Sequence, residues 1–183
     1  KIEKIETHLV RDLFLVEIIT DNGIRGLGQS ACWGFPEAVS AIVKKMIPLL
    51  VGQDPTNTEH ISQLLYRSAP FKGSVLSGAL SAIDIALWDI KAKKFQIPVW
   101  ELLGGKVRDK VRLHLLLGDW DNQLPKEEGI FGAAKKAVAQ GFTALKIDPL
   151  PDNYFDLSLE KLVKQTREYV GALREGAGDE VDI

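Results

Sequence analysis

The stretch "ELLGGKVRDKVRLHLLL", residues 101–117, is where the chain changes its pattern. Its first part closes a helical repeat and leaves through Gly104 and Gly105, which lack a Cβ and so permit a tight exit. A charged connector follows, and then "VRLHLLL", a near-continuous apolar run of strand length. Such a run predicts a strand buried on both faces of a parallel sheet. On its C-terminal side "EEGIFGAAKKAVAQG" (127–141) reads as a helix ending in glycine, and "FTALKI" (142–147) as a second apolar strand. The strand-to-strand spacing of about thirty residues is that of a βαβ unit. A further helical repeat carries Leu159, Leu162, Val163, Val170 and Leu173, and "DEVDI" (179–183) has the character of a third strand beginning. Two βα units and a stub cannot close a barrel of eight strands and roughly 250 residues. The sheet would be left with long apolar edges. The expectation is therefore a portion of a longer chain.

On the N-terminal side the pattern is α+β. "KIEKIETHLV" alternates as a strand does, "LFLVEIIT" is a second strand, and "DNG" leads through an Asn-Gly turn into "IRGLGQ". These form an antiparallel meander. From Pro36, suited to a first helical turn, apolar residues recur at Val39, Ile42, Val43, Met46, Ile47 and Leu50 before Gly52 stops the helix. Asp54 and Pro55 read as the N-cap and first-turn proline of a second helix carrying Ile61, Leu64 and Leu65, ending near Ala69. A third helix carries Leu76, Leu80, Ile83, Leu87 and Ile90, with Lys91, Lys93 and Lys94 where the helix dipole favours cations. The predicted organisation is an α+β domain over 1–108 and an incomplete βα domain over 109–183.

Composition narrows the function. The 183 residues include 23 basic and 25 acidic side chains, a net charge of −2, and 45% hydrophobic residues. No run of Lys and Arg interleaves with aromatics, so nucleic acid is not an expected partner. A single cysteine, Cys32, excludes an internal disulfide and a cysteine-built metal site, and favours the cytoplasm. No apolar stretch approaches a membrane span, and no membrane partner is expected. The three histidines, His8, His60 and His114, lack metal-ligand spacing and read as structural. "GLG" at 26–28 follows a hairpin turn and lacks a third glycine, which argues against a dinucleotide fingerprint.

The chemistry-bearing stretch is "GFTALKIDPLP", residues 141–151. Side chains two apart on a strand share a face, so Lys146 and Asp148 point the same way at its end.

The sequence "ALSAIDIALWDIKAKKFQIPVWELLGG", residues 79–105, resembles the mandelate racemase and muconate lactonizing group of the enolase superfamily. The resemblance rests on its Ala-x-Ser-Ala-Ile-Asp start, its "ALWDIKAK" middle, and a proline followed by "ELLGG". It implies an α+β capping domain followed by the first βα units of a modified TIM barrel. It further implies an Mg2+-dependent enzyme that removes the proton next to a carboxylate, with metal ligands beyond Ile183 and none in this chain. The motif's own Asp84, Trp88 and Asp89 lie inside a packed helix and read as capping and packing groups. Members acting as racemases or cycloisomerases carry Lys-x-Lys at the end of the second barrel strand. Here Lys146 takes the first position and Asp148 the second. A neighbouring aspartate raises a lysine's pKa where a lysine would lower it, so Lys146 suits an electrostatic contact better than a general base. Asp148 can accept hydrogen bonds from substrate hydroxyls. Such a pair suits a polyhydroxy acid, and because the group's sugar-acid dehydratases often lack the second lysine and place their acid and base on later strands, the resemblance points to dehydration of an aldonate or aldarate by a hydro-lyase. The bland alternative is a strand-end ion pair.

By the same resemblance, two loops of the first domain close over the substrate. They hold Trp33 and Phe35 in "SACWGFP", and Tyr66 and Phe71 in "YRSAPFKGS". Asp119, Trp120 and Asp121 follow the first βα strand at the same rim as Lys146. The resemblance predicts a homo-oligomer acting on a small carboxylate, and no activity from these 183 residues alone. Two rivals remain at this point: a racemase, epimerase or cycloisomerase of the same superfamily, and a non-catalytic assembly or binding protein.

Overall fold

A computed structural model describes residues 1–30, 32, 34–117 and 129–183. The chain divides into two compact units, Lys1–Val107 and Arg108–Ile183.

In the first unit, β1 (Ile2–Val10), β2 (Leu13–Thr20) and β3 (Arg25–Ser30) form an antiparallel sheet in the order β1-β2-β3. Strict alternation sets its two faces. Phe14, Val16, Ile18 and Thr20 are buried on one side of β2, while Leu13, Leu15, Glu17 and Ile19 face the other. At the second hairpin Gly23 adopts φ +82°, a conformation other residues rarely take, and the Thr20 hydroxyl donates to the Ile24 carbonyl at 2.8 Å. Two helices, α1 (Pro36–Leu50) and α3 (Ser74–Phe95), cover the apolar face, and α2 (Thr58–Arg67) packs against both of them. Val39, Val43, Met46, Leu50, Ile61, Leu65, Ile83, Leu87 and Ile90 complete one continuous core with the strands. A short helix, α4 (Val99–Leu102), precedes Gly104 and Gly105, both with positive φ.

One start signal is corrected. Asp54 is not the N-cap of α2, which begins at Thr58 with Asn57 in the cap position. Asp54 instead closes a turn, accepting from the Thr56 N–H at 2.9 Å and its hydroxyl at 2.7 Å. Those two donors hold its carboxyl below the usual carboxylate range. An aspartate followed two residues later by a threonine satisfies itself locally, and the helix waits for the next cap.

The helix α3 lies unusually close to β3. A Cβ built on Gly28 would stand 1.9 Å from the Ala82 carbonyl oxygen, and one on Gly26 would stand 2.1 Å from that of Ala86. "GLG" is thus a contact surface for a helix backbone. The same approach lets Asp89 accept from the Leu27 N–H at 2.9 Å and Lys93 donate to the Arg25 carbonyl at 2.7 Å.

In the second unit, β4 (Leu115–Leu117) and β5 (Leu145–Ile147) pair in parallel, with Leu116 opposite Lys146. Ala144 and Asp182 form a parallel bridge, the start of a third strand position. α5 (Gly129–Ala139) and α6 (Leu159–Ala177) pack together, with Gly176 against the Phe131 carbonyl, and Ser158 caps α6. Their core holds Leu117, Ala133, Ala134, Ala137, Leu145, Leu173, Ala177 and Val181.

The strand expected over "VRLHLLL" is reduced to its last three residues, and it is not buried on both faces. The helices cover the side of Leu117 and Leu145, whereas Leu116 is 41% exposed and Val111 70% exposed. A strand buries two faces only where two layers cover it. Ahead of the strands, the Arg112 guanidinium donates to the hydroxyl and carbonyl of Thr143 and pairs with Asp182, tying three successive strand positions together.

Candidate active site

Lys146 sits in the middle of β5 and Asp148 just beyond its end, both exposed and both on the side facing away from the helices. Alternation explains this placement: Leu145 and Ile147 go into the core, so their neighbours cannot. No ion pair joins the two charges among the described residues. Asp148 turns instead to the Leu150 N–H, at 3.5 Å, as an aspartate beginning a loop does. The lysine ammonium is thus presented on an open strand face, with Leu116 beside it in register.

The remaining candidate residues fall in the first unit or outside the described residues. Trp33, Asp119, Trp120 and Asp121 lie outside them. Phe35 occupies the N-cap position of α1 and is well exposed. Ser30 and Cys32 lie against the first turns of α3, since a Cβ on Gly78 would meet the Ser30 hydroxyl and the Cys32 Cβ. Tyr66 lies in the last turn of α2 and not in the loop expected for it, and the 68–73 loop runs directly into that same helix end at Ser74. Ser30, Cys32 and the 68–73 loop therefore all lie near the start of α3. Phe71 is 88% exposed, while Tyr66 is held by Lys72, whose ammonium lies 4.1 Å from its ring centroid. Lys72 also donates to the Tyr66 and Ala69 carbonyls. Lys72 escaped the sequence reading, although a lysine just past a helix end that needs its last carbonyls satisfied is a usable signal.

The motif residues are structural in different ways. Asp89 and Lys93 are committed to β3. Asp84 is half-buried on α3, and its carboxyl is held above the usual range by burial, with Glu59 adding repulsion and a hydrogen bond from Trp88 opposing both. A carboxyl whose folded pKa exceeds its unfolded value contributes stability fully present below the unfolded value, 3.8, and lost as pH rises through the folded one. At neutral pH the ionised Asp84 is a net cost. Asp84→Asn, which keeps an acceptor for Trp88, is expected to stabilise the chain at pH 7 by under about 1 kcal/mol. Thermal unfolding at several pH values checks this: the advantage should shrink as pH falls toward 3.8.

One cluster could approach a cation. Glu6 and His8 on β1 and Glu17 on β2 place their ligand atoms within 4.8 Å of one another on the outer face of the sheet. Among the described residues, this is the one place where a histidine read as structural joins two carboxylates. Magnesium requires a near-octahedral oxygen set and accepts imidazole poorly. Here the carboxylates already engage cations: Lys4 pairs with Glu6, and Arg25 reaches Glu17 at 3.1 Å. The cluster does not fit Mg2+ and is a surface ion-pair network. Among the described residues no other such group occurs.

Residues 4–104 match the family described as mandelate racemase / muconate lactonizing enzyme, N-terminal domain. A D-galactonate dehydratase of Pectobacterium atrosepticum is 35% identical over 186 residues, covering 100% of this chain and 47% of the relative. A D-gluconate dehydratase of Thermoproteus tenax is 33% identical over 171 residues, covering 92% of this chain and 34% of the relative. The crystal structure of an enolase superfamily member from Salmonella Typhimurium superposes with a TM-score of 0.89 at 29% identity, covering 100% of this chain and 53% of that one. The chain thus spans about half the length, or less, of the relatives it matches. With more than half of its residues matched by the family and its fold shared throughout, the chain belongs to the mandelate racemase / muconate lactonizing enzyme family of the enolase superfamily.

Proposed function

We propose that this chain is the capping domain and first βα units of a hydro-lyase that dehydrates a sugar acid, an aldonate or aldarate. The observation that carries the reading is the Lys146–Asp148 strand end, where an ammonium and a carboxylate are presented without pairing to each other, in a chain akin to two sugar-acid dehydratases. An ammonium favours a substrate carboxylate and the negative oxygen that develops as the α-proton leaves. A carboxylate two residues on accepts from hydroxyls, which a polyhydroxy acid supplies. The family's chemistry calls for Mg2+, and the described residues provide no site that fits it. Its ligands, and the acid and base of the elimination, are proposed to come from barrel strands outside these residues. The aromatics Phe35, Tyr66 and Phe71 are exposed in the first unit and suit contacts to a bound substrate. A cytoplasmic homo-oligomer is the form we propose for the working enzyme.

The test uses the enzyme expressed from the complete reading frame containing these residues, assayed against a panel of aldonic and aldaric acids. Lys146→Met removes a charge-assisted contact worth about 1.5–3 kcal/mol and should lower kcat/KM roughly 10- to 100-fold. Asp148→Asn should act mainly on KM and differ between sugar acids of different hydroxyl stereochemistry. A Lys146→Met enzyme with undiminished kcat/KM would remove the lysine from the site, and racemisation without dehydration would replace the reaction.

A further inference from the structure

The sheet of the first unit has two edges, and an edge strand offers unpaired N–H and C=O groups to any other strand. At β1 the turn after α1 covers the first pair: the Ile2 N–H donates to the Gln53 carbonyl at 2.9 Å and the Gly52 N–H to the Ile2 carbonyl at 2.8 Å. At β3 the cover comes from side chains. In antiparallel pairing alternate residues send both backbone groups to the free side. Arg25 and Leu27, two apart, are such residues. Their outward carbonyl and N–H are taken by Lys93 at 2.7 Å and Asp89 at 2.9 Å, and the two side chains pair with each other at 2.7 Å, one helical turn apart.

We infer that Asp89 and Lys93 form an edge lock on β3, which stops the edge strand of a second copy from adding to this sheet. The lock needs the helix to lie within side-chain reach of the strand, which Gly26 and Gly28 permit by admitting the Ala82 and Ala86 carbonyls where a Cβ would stand. It assigns the motif's Asp89-x-x-x-Lys93 a role separate from the reaction. Once released, the edge suits the same strand of another molecule. Two antiparallel β3 strands related by a two-fold axis near Leu27 would exchange N–H and C=O groups symmetrically.

The test combines amide exchange followed by NMR with sedimentation of the purified chain. In Asp89→Ala the Leu27 amide should exchange at least about tenfold faster, and the weight-average mass should rise with concentration above that of the wild type. Asp89→Asn retains an acceptor and should keep Leu27 protected. Adding Leu27→Pro to Asp89→Ala removes the edge N–H and should suppress the association, a reversal that general destabilisation would not produce. Should Asp89→Ala not fold, Lys93→Met carries the same association readout through the freed Arg25 carbonyl. Wild-type protection of Leu27 in Asp89→Ala would overturn the lock, as would association that persists once residue 27 is proline.

Discussion

Gly28→Val is expected to cost the first unit at least about 3 kcal/mol, the upper end of the ordinary penalty for overpacking. The reason is what the new side chain would meet. Its Cβ would lie 1.9 Å from the Ala82 carbonyl oxygen and 2.9 Å from the Ala86 nitrogen, all backbone of α3. A side chain in the way can change rotamer, but a helix backbone can only move as a body, and α3 carries Ile83, Leu87 and Ile90 into the core. Displacing it would also pull Asp89 and Lys93 off the β3 edge. Urea unfolding followed by tryptophan fluorescence checks the result, and a midpoint equal to that of the wild type would show that β3 and α3 are not in this close contact. Gly23→Ala is the useful contrast: its Cβ would meet open space, and its smaller cost would come from the φ of +82° alone.

Phe14→Ala should cost about 3–5 kcal/mol, the usual range for deleting a buried phenylalanine. Phe14 is 1% exposed and begins the buried face of β2, followed at period two by Val16 and Ile18. It is the largest fully buried side chain among the described residues. Three helices and two strands share the core it fills, so no single element can collapse into the vacancy. The measurement is again the unfolding free energy, with Leu13→Ala on the opposite, half-exposed face as the comparison that should change little. A cost below about 1 kcal/mol for Phe14→Ala would contradict this placement.

The elements were legible where their signal is local. Pro36 begins α1 and Gly52 follows its end, the α3 stripe runs as its apolar spacing says, and "DEVDI" does enter a third strand position. The candidate site was legible only in part. Period two places Lys146 and Asp148 on one side of a strand, but it cannot say whether they pair, and Asp148 instead engages Leu150. The Asp54 reading failed because a cap and an aspartate turn share the same residue types, and the hydroxyl of Thr56 decided between them. The clasp of Lys72 on Tyr66 was missed because it joins residues six apart across a non-helical bend, a spacing that neither period marks.

What the sequence by itself determined is the order of the main strands and helices, the change from α+β to βα grammar after Gly105, and the family, all of which reside in neighbouring residues and their periods. What only the tertiary structure decided is the work of particular residues: that "GLG" seats a helix, that Asp89 closes a strand edge, that Asp148 engages Leu150. Leu27 and Asp89 stand 62 positions apart. Hydrophobic periodicity encodes which way a side chain points along its own element, whereas a hydrogen bond between two elements depends on how closely their backbones approach, and that distance exists only once the chain is folded.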